Sequence, residues 1–380
     1  MNSPFQFGKT VSGKSFTDRK EQMKYLSDNL LSEISTIIIS PRRWGKSSLV
    51  NKCMEDIFGA KKNYRIVMID LFRIRSEEEF LQAYATETVK CSSGNIEGAV
   101  GLVKHVFTSI IPKITFSADS VNDLSLSFDM RELQKSRADI LDLPERIARR
   151  KKIKIIVCID EFQNMQSYRD SDLLKKELRS VWQNHEHVTY CLYGSKRHMM
   201  SDIFNNTESP LYRFGSILFL DKIEKRYWLS YISEAYRETG KKIDAGLCAD
   251  IADSMRNHPF YVQQLSHIVW NLTDKKVDSG ILTSAKSLIV DMNRPFFVRE
   301  YEALSSRQIN LLKAICSGER HLNSEEVLRE YRLGTSANVS KNKKALEEQD
   351  IIDLTHGMAS FIDPVFELWF RQEIHGSMAT

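Results

Sequence analysis

Residues 36–58 constrain this chain more than any other stretch. TIIIS (36–40) is a short apolar, β-branched run of the kind that forms a fully buried strand. After PRRWGK comes SSLVNKCMEDIF, whose apolar residues Leu49, Val50, Cys53, Met54, Ile57 and Phe58 recur as one helical stripe. A buried strand that turns tightly into a helix aims the turn's N–H groups and the positive end of the helix dipole at one point, which suits an anion. The turn itself, SPRRWGKS (40–47), fits the phosphate-loop pattern G-x-x-x-x-G-K-[ST] except that Ser40 stands where the first Gly belongs. Serine is tolerable there if residue 40 does not need positive φ. A second match, GKTVSGKS (8–15), is perfect in letters, yet only MNSPFQF precedes it, with Pro4 and no apolar run. Such a motif counts only in its context, so 40–47 is expected to be the working loop and 8–15 is not.

Within the loop, Lys46 is placed to reach the β and γ phosphates and the Ser47 hydroxyl to bind Mg²⁺. Gly45 lets the backbone approach without a Cβ in the way. Pro41, Arg42, Arg43, Trp44 and Ser48 make up the rest of the expected nucleotide-binding turn. KIKIIVCIDEF (152–162) is the most apolar strand in the chain and ends in two carboxylates. They fall at the strand's carboxyl end, the edge where open α/β sheets bind ligands. Asp160 is expected to hold Mg²⁺ through water and Glu161 to orient and polarise an attacking water. An Asp-Glu pair at a strand end also serves as a helix cap, and the phosphate loop about a hundred residues upstream is what favours catalysis. Ser195, ending VTYCLYGS (188–195), either senses the γ-phosphate or closes an ordinary turn with Gly194. Arg197 and Arg213 are either fingers that complete a neighbouring copy's site or solvated surface residues.

TDRKEQMKYLSDNLL (17–31) reads as a helix capped by Thr17, with Met23, Leu26 and Leu30 on one side. YRIVMIDL (64–71) reads as a buried strand and SEEEFLQAYATETV (76–89) as a helix capped by Ser76. Residues 92–140 are less regular, and KITFSAD and LSLSFDM alternate like an inserted hairpin. A helix over 171–184, the strand over 188–195 and a last strand, ILFLDKI (217–223), complete an alternation that predicts a parallel α/β sheet. After 223 the strands stop. Helical stretches then read as a small helical domain, and from about 300 three helices and two short strands around His356-Gly357 follow the winged-helix order. The expected division is an α/β phosphate-loop core (1–222), a helical lid (223–298) and a winged helix (299–380).

A chain of 380 residues is too long for one ordinary core, which agrees with two or three domains. The six cysteines lie scattered with no C-x-x-C pair, which points to reduced buried thiols rather than disulfides or a metal. His185 and His187 have no accompanying ligand spacing and read as loop or helix-end polarity. Neither a signal peptide nor an 18-residue apolar run occurs, so a cytoplasmic protein without membrane contact is expected.

The series FTDRKEQMKYL, SPRRWGKSS, VMIDL, IIVCIDEFQ, LYGSKRHMM, SPLYRFG and NHPFYVQQL resembles the archaeal-type ATPases of the AAA+ superclass, across nearly the whole chain. These are similar to the signalling ATPases with numerous domains (STAND). The resemblance implies ATP and Mg²⁺, a helical lid and a C-terminal winged helix. It implies that Phe16 and Arg19 border the adenine, and that Asn257 and Pro259, in NHPF, belong to the lid motif over the nucleotide. No arginine follows where such families often place a second sensor, which suits slow, switch-like turnover. The resulting expectation is a nucleotide-controlled switch with a protein partner or self-association. The alternatives are a DNA-binding regulator or a docking scaffold that uses ATP as a structural ligand. DNA is disfavoured by charge. Residues 300–380 hold 9 Lys and Arg against 13 Asp and Glu, a net of −4 in a chain of net +4. Lys341, Lys343 and Lys344 lie on the candidate recognition helix, but an acidic module lacks the electrostatic attraction that supplies most non-specific DNA affinity.

Overall fold

The computed structural model describes residues 2–11, 13–93, 95–106, 113–115, 125–127, 136–354 and 357–378. The chain divides into two compact units, one of Arg19–Arg42 and Lys46–Asp221, the other of Met1–Asp18, Arg43–Gly45 and Lys222–Thr380.

The first unit is built on strands β1 (Thr36–Ile39), β2 (Tyr64–Asp70), β5 (Lys154–Asp160), β6 (Val188–Gly194) and β7 (Ser216–Phe219). Between β2 and β5, β3 (Lys113–Thr115) and β4 (Ser125–Ser127) pair antiparallel, as the expected hairpin. The five long strands lie in the order β2-β5-β6-β1-β7, every pair parallel. From β1 the chain crosses to the far edge, returns through β5 and β6, and then places β7 on the other side of β1. The phosphate-loop strand therefore sits at a reversal of winding, the position where sheets of this kind bind ligands. β1 and β6 are buried at every residue, which is why they read as unbroken apolar runs. β2, at the sheet edge, instead alternates along its second half, with Val67 and Ile69 buried and Met68 and Asp70 exposed.

Several elements differ from expectation. The first helix spans Lys20–Leu31, not 17–31, and Thr17 does not cap it. Asp18 and Arg19 both have positive φ, so the chain cannot enter the helix before residue 20. The helix after the phosphate loop runs Lys46–Cys53 and then widens into a π turn, Met54–Phe58. Its apolar residues repeat every four positions, more than the 3.6 of an α-helix, and the wider turn keeps Phe58 in the core. β7 stops at Phe219 rather than 223, and helices Ile96–Val106 and Arg197–Phe204 were not foreseen. The helix Glu77–Ser92 does begin at Ser76, whose hydroxyl accepts from the Glu79 N–H at 3.2 Å.

The second unit holds helices Lys225–Glu238, Ala245–Ser254, Pro259–Leu272 and Ser279–Glu302. Then come Ser306–Cys316, Glu325–Glu330, Ser336–Glu348, the antiparallel pair β8 (Ile352–Asp353) and β9 (Ser360–Phe361), and Pro364–Met378. Three helices followed by a short hairpin are the winged-helix order; the expected turn residue His356 lies outside the described residues. The boundary at 298/299 falls inside Ser279–Glu302, and one continuous core runs from Trp228 and Val262 through Phe297 to Phe361 and Phe370. Phe297 packs on Phe366 and Trp369 at 5.4 and 5.8 Å between ring centroids. Among the described residues no helix is long and apolar enough to cross a membrane.

Candidate active site

Parallel pairing brings the carboxyl ends of β1, β5 and β6 to one edge: Ile39 lies beside Gly194, and Ile159 beside Leu192. Their next residues carry the candidate chemistry. Ser47, the last residue of the loop and the second of helix Lys46–Cys53, donates its hydroxyl to Asp160 Oδ2 at 2.8 Å. Asp160 Oδ1 accepts the N–H of Glu161 at 2.8 Å. Lys46 Nζ lies 3.4 Å from Glu161 Oε1, with both side chains largely out of solvent. Ser195, just past β6, donates to Glu161 Oε2 at 2.6 Å. Lys46, Ser47, Asp160, Glu161 and Ser195, from three separate segments of the chain, are thus joined by side-chain contacts at one sheet edge.

Burial disfavours charge here, and the two carboxylates respond differently. Burial pushes Asp160 up to about 6 against the opposing pull of Lys46 and the Ser47 hydroxyl. Glu161 also feels burial, but Lys46 and the hydrogen bonds from Ser195 and Gln163 outweigh it and hold its carboxyl below the usual range. Ser47 and Asp160 therefore set a hydroxyl and a reluctant carboxylate side by side, an oxygen pair that a hard cation such as Mg²⁺ fits and whose burial cost it would relieve.

The loop conformation answers the question raised by Ser40. It is fully buried and is not among the residues with positive φ, so the missing glycine costs nothing there. Gly45 has φ +94°, a conformation that L side chains rarely adopt, so this glycine is required by backbone shape. Pro41, Trp44 and Ser48 are buried, while Arg42 and Arg43 are exposed. Within the second unit, the Trp44 ring meets His258 edge-on at 6.1 Å, and the Arg43 guanidinium lies over Phe260 at 4.6 Å and donates to Tyr261 Oη at 3.3 Å. Tyr261 in turn donates to Asp363, the residue before helix Pro364–Met378.

The other expected residues lie on other elements. Arg213 is exposed, with φ 50°; its N–H donates to the Phe204 carbonyl at 3.1 Å and its guanidinium lies 5.2 Å from the Tyr212 ring. Arg197 opens helix Arg197–Phe204. Arg19 is buried at the start of Lys20–Leu31 in the first unit, whereas Phe16 and Pro259 belong to the second. Pro259 opens helix Pro259–Leu272 after Asn257, which has φ 57°. Among the described residues, the perfect match at 8–15 holds only a three-residue 3-10 turn, Gly13–Ser15, and no strand leads into it. Gln163, the second side-chain donor to Glu161 Oε2, was missed. Its only signal was its place in DEFQ, two residues past Glu161.

A cluster of Glu145, Glu186 and His187 places ligand atoms within 4.8 Å of one another, which sequence spacing did not suggest. Arg149 bonds Glu145 at 2.7 Å and Glu186 at 3.3 Å, so a cation already occupies that position. His185 is likewise structural, bonded to Tyr190 Oη at 2.9 Å and 3.3 Å from Asp142.

The family described as "ATPase domain predominantly from Archaea" matches residues 16–255, and "Probable winged helix domain" matches 295–372. Among solved structures, the Walker-type ATPase Paby2304 of Pyrococcus abyssi superposes with a TM-score of 0.65 at 19% identity, covering 96% of this chain and 98% of that one. The ORC2 protein of Aeropyrum pernix, in its ADPNP-ADP complexes, gives 0.56 at 13% identity, covering 99% and 100%. At these identities the likeness concerns the fold. No curated protein matches the chain.

Proposed function

Since this chain belongs to the family of ATPase domains found predominantly in Archaea, we propose that it binds ATP with Mg²⁺ on the 40–47 loop and hydrolyses it slowly, as a STAND-like conformational switch. The observation that carries the reading is the Ser47–Asp160 hydrogen bond beside the Lys46–Glu161 pair, which assembles the cation and charge-offsetting groups at one sheet edge. Lys46 offsets phosphate charge, and Ser47 and Asp160 hold the metal. Mg²⁺, when bound, would offset phosphate charge. Glu161, kept ionised by its donors, accepts from the attacking water and aligns it with the γ-phosphate. Ser195 steadies that carboxylate. Phe16, Arg19 and Pro259 are proposed to border the nucleotide and Arg213 to serve a neighbouring copy.

The switch reading is supported by the chain of contacts from Arg43 of the loop through Tyr261 to Asp363 of the winged helix. Within the helical unit, a ligand that reordered Arg43 would alter its contacts with Phe260 and Tyr261, the kind of coupling that a switch requires. ORC2, whose structure holds ADPNP and ADP, supports a nucleotide ligand for this fold. The partner of the winged helix is proposed to be protein or a second copy. Phosphate release from ATP, with and without Mg²⁺, tests the proposal: slow, Mg²⁺-dependent release is expected, and absence of both release and nucleotide binding would overturn it.

A further inference from the structure

Glu161 is held through both of its oxygens, but unequally. Oε1 faces Lys46 at 3.4 Å. Oε2 accepts from Ser195 Oγ at 2.6 Å and from Gln163 Nε2 at 2.5 Å. Gln163 lies in the 3-10 helix Phe162–Ser167 and is 1% exposed, and its other polar atom, Oε1, is buried with no hydrogen-bond partner. Burying a primary amide with half its capacity unused is unfavourable. An apolar side chain would fill the space at less cost, so the one bond that the amide makes is what distinguishes it.

The surroundings reserve room for that amide. A Cβ on Gly194, the last residue of β6, would lie 2.1 Å from Gln163 Oε1 and 2.6 Å from Met200 Sδ. Gly194 has no positive φ, so close approach rather than backbone shape requires glycine here. Glu161 itself sits in the left-handed region, φ 50° and ψ 41°, an uncommon conformation for a residue with a Cβ. Its terminal torsion is intrinsically broad, so a carboxylate there needs external donors to define its plane.

We propose that Gln163 is a positioning residue for hydrolysis: with Ser195 it anchors Oε2 of Glu161, leaving Oε1 as the oxygen that accepts from the attacking water when Lys46 turns to phosphate. The inference rests on the ATPase reading above. Misplacement of a catalytic group by about 1 Å costs on the order of a hundredfold in rate, so losing one of two anchors is a sizeable perturbation.

Gln163→Met in the full chain keeps the stem length and removes the donor. Gln163→Leu, of similar volume, also removes it, and unfolding temperatures near that of wild type for both variants guard against a folding defect. Both are expected to lower kcat about tenfold or more while leaving KM for ATP and the affinity for a fluorescent ATP analogue within about twofold. Neither should add to the loss in a Glu161→Gln background. Gln166→Met, on the same short helix, should leave all three quantities unchanged. Infrared spectra give a readout without turnover: the carboxylate stretch that disappears in Glu161→Gln should shift in Gln163→Met. Unchanged kcat with an unshifted band, or parallel loss of kcat and affinity that adds to Glu161→Gln, would overturn the assignment. A wild-type protein that releases no phosphate would sink the ATPase reading instead, and the infrared band alone would then decide the anchoring, an unshifted band overturning it.

Discussion

Asp160→Asn should make the ligand-free protein more stable, and only in a defined pH range. The aspartate is raised from its ordinary value of 3.8 to about 6, first by burial. A shift of roughly two units is worth about 3 kcal/mol of folding free energy at 1.36 kcal/mol per unit. Because the folded-state value lies above the unfolded one, folding favours the protonated carboxyl. Its contribution is fully present below about 3.8 and is lost as pH rises through about 6. Asparagine does not titrate and fits the same contacts: its Oδ1 can accept the Glu161 N–H, and its Nδ2 can donate to the Ser47 hydroxyl. Of the total, about 2 kcal/mol should appear between pH 4.5 and 7.5, from the same linkage relation. For a unit of about 200 residues this corresponds to roughly 4–8 °C in Tm. The assay is thermal unfolding of wild type and variant with EDTA and without nucleotide at the two pH values. The gap in Tm should widen at pH 7.5. A gap that is equal at both values, or wider at pH 4.5, refutes the argument that burial makes this carboxylate reluctant to ionise. Mg²⁺ with ATP should then stabilise wild type and leave the variant little changed.

Lys46→Ala should abolish ATP binding, whereas Lys14→Ala should leave it nearly intact; equilibrium titration with a fluorescent nucleotide compares them, and the reverse order of damage would mean that 8–15 is the working loop. The full chain should bind duplex DNA weakly at low salt, since its last 81 residues carry a net charge of −4 and Lys344 is already 3.9 Å from Glu348. Affinity in the micromolar range or tighter, lost when Lys341, Lys343 and Lys344 become alanine, would favour a DNA-binding regulator.

The readable parts of this fold were those in which local pattern and burial coincide. β1, β5 and β6 are central strands covered on both faces, so their apolar runs were plain, and Lys46, Ser47, Asp160 and Glu161 could be placed from the strand ends alone. Strand order was not readable. β6 separates the two motif strands, and non-local parallel pairing leaves no mark on neighbouring residues. Nor was the helix Ser279–Glu302, in which Gly280 and Pro295 interrupt a weak apolar pattern and conceal a continuous element across the expected domain boundary. The Arg43–Tyr261–Asp363 contacts join residues more than two hundred and one hundred positions apart, and polar pairs of that kind have no sequence period to betray them. Thr17 failed as a cap for a local reason, the two positive φ values that follow it.

If Glu161 acts on water in a hydrolytic site and not in ground-state binding, neutralising it slows release without weakening affinity. Single-turnover phosphate release from Mg²⁺·ATP, measured beside nucleotide affinity for wild type and Glu161→Gln, tests it directly. A carboxylate that acts in the transition state should, when neutralised, cost about a hundredfold or more in release rate and leave affinity within a few-fold. Equal release rates, or loss of affinity in step with loss of rate, would contradict it.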